Sequence, residues 1–188
     1  MLDKLIKNLK IEEVKQKDGK LYCVSKDHAA GLIIHNSTKI EMDGFDELSD
    51  CYAETLEKYS NECEHKIEVP ELASVKYFLD FLNKIGSTKA TIETNGEKVI
   101  IRSQYWEEKA EYQFKADCDQ GEESKKFGMY DITKIRDFLR SFRIGELRSM
   151  NYFMKFKDVG EGYHILIIEL QIMGHPICEF LLAPVVPP

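Results

Sequence analysis

The sequence predicts an α+β fold made of a repeated unit, one helix followed by three antiparallel strands. Three observations carry that expectation. Segments with apolar residues at helical spacing recur along the chain, each is followed by strand-like runs, and two of the turns between runs are Asp-Gly and Asn-Gly pairs. With 188 residues, 43% of them hydrophobic, the chain can bury one domain or one and a half small ones.

The first helix opens the chain, where Leu2, Leu5, Ile6 and Leu9 form one face of "MLDKLIKNLK". Strands "IEEVKQ", "LYCVSK" and "AGLIIHN" follow, the first two joined by the turn "KDGK". Residues 43–64 are rich in acids and without a clear strand, so they read as a connector. Residues 71–85 place Val75, Phe78, Leu79 and Leu82 at helical spacing, with Pro70 at the entry and Gly86 at the exit. "KATIET", "EKVIIRSQYW" and "KAEYQFKAD" are the next three strands. Asn95-Gly96, like Asp18-Gly19, suits a type I′ hairpin, whose two central residues both need positive φ. Residues 117–128 read as a solvated loop. The third helix spans 131–143, with Asp131 as N-cap, Ile132, Ile135, Phe138, Leu139 and Phe142 inward, and Gly145 just past the end. "MNYFMKFK", "YHILIIELQIM" and "PICEFLLAP" complete the third unit. The middle one is apolar nearly throughout and therefore expected at the centre of a sheet. Pro184, Pro187 and Pro188 cannot donate ladder hydrogen bonds, so a short frayed tail should follow.

Acids outnumber Lys and Arg by 33 to 26, a net charge of −7, which excludes a uniformly basic nucleic-acid binder but allows a locally basic stripe. The five cysteines, Cys23, Cys51, Cys63, Cys118 and Cys178, form no C-x-x-C pair and read as reduced thiols of an intracellular protein. Cys51, Cys63 and His65 lack the tight spacing of structural zinc ligands, so no metal is expected. The first ten residues are too short in their apolar part for a signal peptide, and no apolar run is long enough to span a membrane. No phosphate-cradling glycine loop, nucleophile elbow or H-E-x-x-H motif occurs, and the five histidines are scattered. The reading is a protein with neither catalysis nor cofactor.

The polar sides of the helices carry the more informative signal. Arg136, Arg140 and Arg143 recur at i, i+4 and i+7 in the third helix with Lys134 beside them. Lys4, Lys7 and Lys10 mark the first helix, and Lys76 and Lys84 the second. Helices covering one sheet face could gather these cations into a surface for nucleic-acid phosphates. Helix surfaces are also commonly rich in Lys and Arg for solubility alone, and Asp80 and Asp137 interrupt the stripe, so a small protein-binding module that ignores DNA is the alternative.

The ending "MGHPICEFLLAP" resembles the C-terminal end of the eukaryotic replicative sliding clamp, proliferating cell nuclear antigen, in its Met173-Gly174-His175 turn and its Leu182-Ala183-Pro184 finish. "EKVIIRSQYWEEKAEYQFKA" and "DITKIRDFLRSF" are similar to a paralogue, the tail-bearing subunit of the nine-one-one DNA-damage checkpoint clamp. The resemblance implies a sliding-clamp (DNA clamp) fold with helices on one sheet face, and three of the four units that such a subunit contains. Residues 1–42 would then be the second half of an N-terminal clamp domain, 43–64 the interdomain connector and 65–188 the C-terminal clamp domain. It further implies a non-catalytic subunit of a ring around double-stranded DNA in the nucleus. The partners implied are other clamp subunits in a heterotrimer rather than a homotrimer, a clamp loader, and repair and checkpoint proteins, with no membrane. A replicative processivity clamp is the rival within the family. By the same resemblance the helix cations face DNA, and Phe45, Leu48, Tyr52, Leu56, Leu182, Ala183 and Pro184 line a pocket for partner peptides.

Overall fold

The computed structural model describes residues 2–37, 43–116 and 124–188. Cys118 and residues 117–123 of the expected solvated loop lie outside the described residues. The chain runs α1 (Leu2–Asn8), β1 (Ile11–Lys17), β2 (Lys20–Ser25), β3 (Ala30–Ile34), β4 (Asp46–Glu47), α2 (Asp50–Asn61), β5 (His65–Val69), α3 (Leu72–Lys84), β6 (Lys89–Thr94), β7 (Lys98–Tyr105), β8 (Glu108–Lys115), β9 (Lys125–Asp131), α4 (Ile132–Leu139), α5 (Ile144–Arg148), β10 (Asn151–Gly160), β11 (Tyr163–Ile172) and β12 (His175–Leu182). The three helix-plus-three-strand units are α1 with β1–β3, α3 with β6–β8 and α4 with β10–β12.

Two short strands absent from the sequence reading, β5 and β9, precede α3 and α4, and they change places. β5 pairs with β10 of the third unit, while β9 pairs with β6 of the second. Each of these two units thus lends its first strand to the other, and the second and third units become one interlocked body. The sheets have the orders β4-β1-β2-β3-β12-β11-β10-β5 and β8-β7-β6-β9, antiparallel throughout except for the two-residue contact of β4 with β1. Strand β11, expected at a sheet centre, lies between β10 and β12.

Strands alternate sides, so each buries one set of residues under the helices and turns the other set away. Leu32, Met154, Phe156, Leu166, Ile168 and Phe180 belong to the main core beneath α1, α3 and α4. Phe138 of α4 stacks on Phe180 at 4.7 Å between centroids, and Phe127 on Phe156 at 3.7 Å. Each fully buried side chain of this size contributes roughly 1.5–3 kcal/mol.

One turn and one helix end differ from the sequence expectation, and a second turn meets it. Asp18 and Gly19 both have positive φ, 53° and 73°, as a type I′ turn requires. At Asn95-Gly96 only the glycine does, because the Asn95 side chain accepts from the backbone N–H of Glu97 and Lys98, and the ladder closes on Thr94 opposite Val99. Helix α4 starts as expected, with the Asp131 carboxylate accepting from the Thr133 N–H at 2.9 Å, but it ends at Leu139 rather than 143. The Ser141 hydroxyl bonds back to the Asp137 carbonyl. The next amides turn to carbonyls three residues back, Ser141 to Phe138 and Phe142 to Leu139. Gly145 therefore lies inside α5 and ends nothing.

The opposite face of the eight-stranded sheet is covered by α2, an element the acidic connector did not announce. Ser49 caps it, accepting from the Tyr52 N–H at 3.2 Å, and Ala53, Leu56 and Ser60 are its buried residues. Leu56 settles over Gly31 of β3, where an added Cβ would lie 3.0 Å from Leu56 Cδ2. Exposed ion pairs of Lys15 with Asp50, Lys17 with Glu54 and Lys20 with Glu57 flank the helix, and each such pair is worth little. Leu56 on Gly31 is the stronger fastening. Gly31→Val is expected to cost about 1–3 kcal/mol by overpacking and to speed amide exchange in 50–61 while leaving α4 protected. Unchanged exchange across α2 would show that the helix is held by something else.

Beneath α2 lies a buried ionic cluster. Lys155 Nζ on β10 contacts Glu179 at 2.8 Å and Glu169 at 3.2 Å, and donates to the Ser60 carbonyl at 3.2 Å. Glu169 and Glu179 face each other directly across β11 and β12. His35 Nε2 lies 2.8 Å from Glu179, and the Ser60 hydroxyl also donates to that carboxylate.

Candidate nucleic-acid and partner interfaces

Helix α4 lies between α1 and α3 and packs against both, so the three repeated helices form one layer. Asn8 at the end of α1 donates to the Ser141 hydroxyl at 3.1 Å, tying the first unit to the third. The cations expected to face DNA divide into two groups on this layer. Lys4, Lys7, Lys10, Lys84, Arg140 and Arg143 are exposed. Lys76 is half-buried. Lys134 pairs with Asp27 in the turn between β2 and β3, and so fastens α4 to the first unit. Burial pushes the Asp27 carboxyl up, but Lys134, Ser25 and the Ala29 N–H outweigh it and hold the group well below its usual range.

The arginine stripe does not hold its helical spacing. Arg136 retains only 16% of its side-chain exposure, with Asp137 beside it at 3.5 Å. Arg143 lies beyond the end of α4, at the residue before α5, and pairs with Glu146 at 3.0 Å. Arg140, at the C-cap of α4, stays exposed on the layer. The early end of α4 explains the change, since a residue past the helix no longer follows its 3.6-residue period.

The candidate partner residues also divide. Tyr52 and Leu56 of α2 line one apolar crevice of about 100 Å³ with Leu182 and Ala183 at the end of β12, together with His28, Tyr59 and Ile165. Leu48 is buried in the same outer-face cluster. Phe45 packs instead against the main core. Pro184 turns toward Gly128, and the segment after it does not fray: the Val185 N–H bonds the Met129 carbonyl at 2.7 Å and Met129 N–H bonds the Val186 carbonyl at 3.3 Å. Prolines lack a donor but their neighbours do not, so the tail adds a bridge to the edge of β9.

At a third surface, sequence reasoning missed the exposed aromatic side chains. Strand β8 is an end strand of its sheet, and beside it α3 exposes Tyr77 and Phe81 while Phe78 stacks on Tyr112 at 5.6 Å. The i, i+4 spacing of Tyr77 and Phe81 was the available signal.

No family model and no curated protein sequence matches the chain. Solved structures do. The DNA polymerase III subunit beta of Borrelia burgdorferi, solved in complex with a natural product, superposes with a TM-score of 0.63 at 15% identity, over 95% of this chain and 56% of that one. The fold is that of the sliding clamps. The proliferating cellular nuclear antigen of Entamoeba histolytica matches with a TM-score of 0.60 at 13% identity, covering 97% of this chain and 94% of that one. In the PCNA2–PCNA3 complex of Sulfolobus tokodaii a chain matches with a TM-score of 0.62 at 11% identity, over 98% and 94%. The chain spans just over half the length of the Borrelia clamp subunit. In this clamp fold the pairing of β3 with β12 carries one sheet across from the first unit to the third.

Proposed function

We propose that the chain is a non-catalytic subunit of a ring-shaped DNA sliding clamp, whose helical layer faces double-stranded DNA and whose outer crevice takes partner peptides. The observation that carries this reading is the single layer of α1, α4 and α3, with Lys4, Lys7, Lys84 and Arg140 exposed on a protein of net charge −7. Cations on a layer backed by an acidic body contact phosphates without reading sequence, which permits sliding. The resemblance of 97–116 and 131–142 to the nine-one-one subunit favours the checkpoint kind, working in the nucleus as part of a heterotrimer with a clamp loader and repair and checkpoint proteins. Residues 43–64 are then the connector between clamp domains. A replicative homotrimer is the second reading, supported by the likeness of 173–184, and native mass spectrometry of the chain expressed alone separates the two, because a stable homotrimer contradicts the heteromeric assignment.

Charge reversal tests the DNA-facing layer. Lys4→Glu, Lys7→Glu, Lys84→Glu and Arg140→Glu together are expected to leave folding within about 0.5 kcal/mol per site, since the four are exposed. Retention on circular duplex DNA after loading with the other ring components should weaken. The slope of log affinity against log salt should become shallower by roughly 1 for each phosphate that is no longer neutralised. Retention equal to that of the parent across the salt series would reduce these cations to a solvated face.

A further inference from the structure

Strands β5 and β9, which the second and third units exchange, belong to different sheets but begin side by side. Their first residues, His65 and Lys125, touch, with Lys125 Nζ 2.9 Å from His65 Nε2. An ammonium can only donate, so Nε2 must accept, and an imidazole that accepts at Nε2 is neutral with its proton on Nδ1. Once protonated, the ring has two donors and no acceptor, and the contact becomes one between two cations at hydrogen-bond distance. We propose that His65 and Lys125 form a proton-operated latch between the two exchanged strands, closed while the imidazole is neutral and open once it takes a proton. The latch needs neither DNA nor a ring, so it is independent of the function proposed above.

The surroundings of the ring favour its neutral form. Its Nδ1 is buried without a partner among the described residues, and so is Nδ1 of His164 on β11. Both rings lie against Phe127 of β9, at 5.5 and 5.6 Å between centroids, and 6.4 Å from each other, so a proton on His164 disfavours one on His65. Burial first, then Lys125 and His164, lower the His65 pKa from its ordinary 6.5. Two acids oppose them, Glu64 and Asp158 of β10. Both are already engaged: Glu64 holds Lys157 of β10 at 2.8 Å and accepts from the Asp158 N–H at 2.8 Å, while the Asp158 carboxylate accepts from the Gly160 N–H. A base whose folded-state pKa is lowered contributes stability in full above its unfolded value, and that contribution disappears as the pH falls through the folded one. The latch therefore weakens below 6.5, whereas the Glu179 cluster loses its contribution only from 4.5 downward. Behind the latch Phe127 stacks on Phe156, and Met129 of the same strand bonds Val185 and Val186. Opening frays β9 from its first residue and loosens its hold on residues 185–186.

Amide exchange at about pH 7.5 and about pH 5.5, corrected for the intrinsic pH dependence of the exchange chemistry, tests the latch. In the parent, residues 125–129 and Val185 are expected to lose protection at the lower pH by up to about tenfold, while residues 132–139 of α4 stay protected. Glutamine also accepts from an ammonium but takes no proton, so His65→Gln should keep the latch closed at both pH values. Lys125→Met should move the His65 titration upward, followed by its ring NMR signals, and shrink the pH effect on β9. Equal protection of 125–129 at the two pH values in the parent overturns the latch. So does a His65→Gln variant that loosens in acid as the parent does, or a Lys125→Met variant in which the His65 titration stays where it was. None of these assays reads DNA retention, so failure of the latch leaves the clamp proposal standing, and failure of the clamp proposal leaves the latch.

Discussion

Replacing Lys155 by methionine is expected to destabilise the fold by about 3–5 kcal/mol, because it strands two buried carboxylates that share one cation. Glu169 and Glu179 are cross-strand neighbours, each nearly inaccessible, and Lys155 stands between them. Burial pushes the Glu179 carboxyl up, yet His35, Lys155 and Ser60 together bring it from 4.5 down to about 2. A carboxyl depressed in the folded state contributes stability that is present above its unfolded value and disappears as the pH falls through the folded one. In the parent that loss runs from 4.5 toward 2. Lys155→Met removes the cation that holds the carboxyl down, so a proton enters one of the two carboxylates more readily and the variant loses less on acidification. The gap between parent and variant, measured by urea unfolding, should therefore be widest near neutral pH and narrow below about pH 4.5. A penalty under about 1 kcal/mol at neutral pH, or one that does not change with acid, would mean that the cluster is not held as a charged unit. Since α2 supplies Ser60 to the same cation, faster amide exchange in 50–61 should accompany the loss.

Phe180→Ala should cost about 3–5 kcal/mol for a different reason, the cavity left where Phe180 stacks on Phe138. Phe180 lies opposite Leu32 of β3 on one side and Ile168 of β11 on the other. The cavity therefore opens at the strand that joins the first unit to the third. Against a typical total of roughly 5–15 kcal/mol, such a loss releases the first unit before the interlocked second and third. Urea unfolding should show a lower midpoint, with early exchange in β2 and β3. Phe180→Leu, which keeps most of the volume, should cost about 1.5 kcal/mol or less. Equal losses for the two variants would contradict a packing origin.

The repeated unit was legible because it is written in local periods. Val75, Leu79 and Leu82 fall on one side of a helix, and Ala110, Tyr112 and Phe114 on one side of a strand, whatever the rest of the chain does. Asp131 caps the next helix from two residues away. What escaped has weak local patterns. Strand β9 carries Gly128 at φ 121° and a shift of register against β6, and its two lysines are exposed. Helix α2 buries Ala53, Leu56 and Ser60, one large apolar residue in three, too little for a stripe. The arginine spacing misled, since the Ser141 hydroxyl took the Asp137 carbonyl and ended the helix before the third arginine.

By itself the sequence determined the number of units, the helix and strand order within each, and which residues of each element face inward. These depend on side-chain period and turn chemistry over a few residues. Tertiary structure alone decided the exchange of β5 and β9, the pairing of β3 with β12, the partial burial of Arg136 and the three-way meeting of Lys155, Glu169 and Glu179. Lys155 and Glu179 lie 24 residues apart, and Ser60 lies 95 before Lys155. No local pattern sets such contacts. They form because each sheet edge must find a partner for its backbone groups, and a charge taken from water must find its opposite wherever the chain brings one.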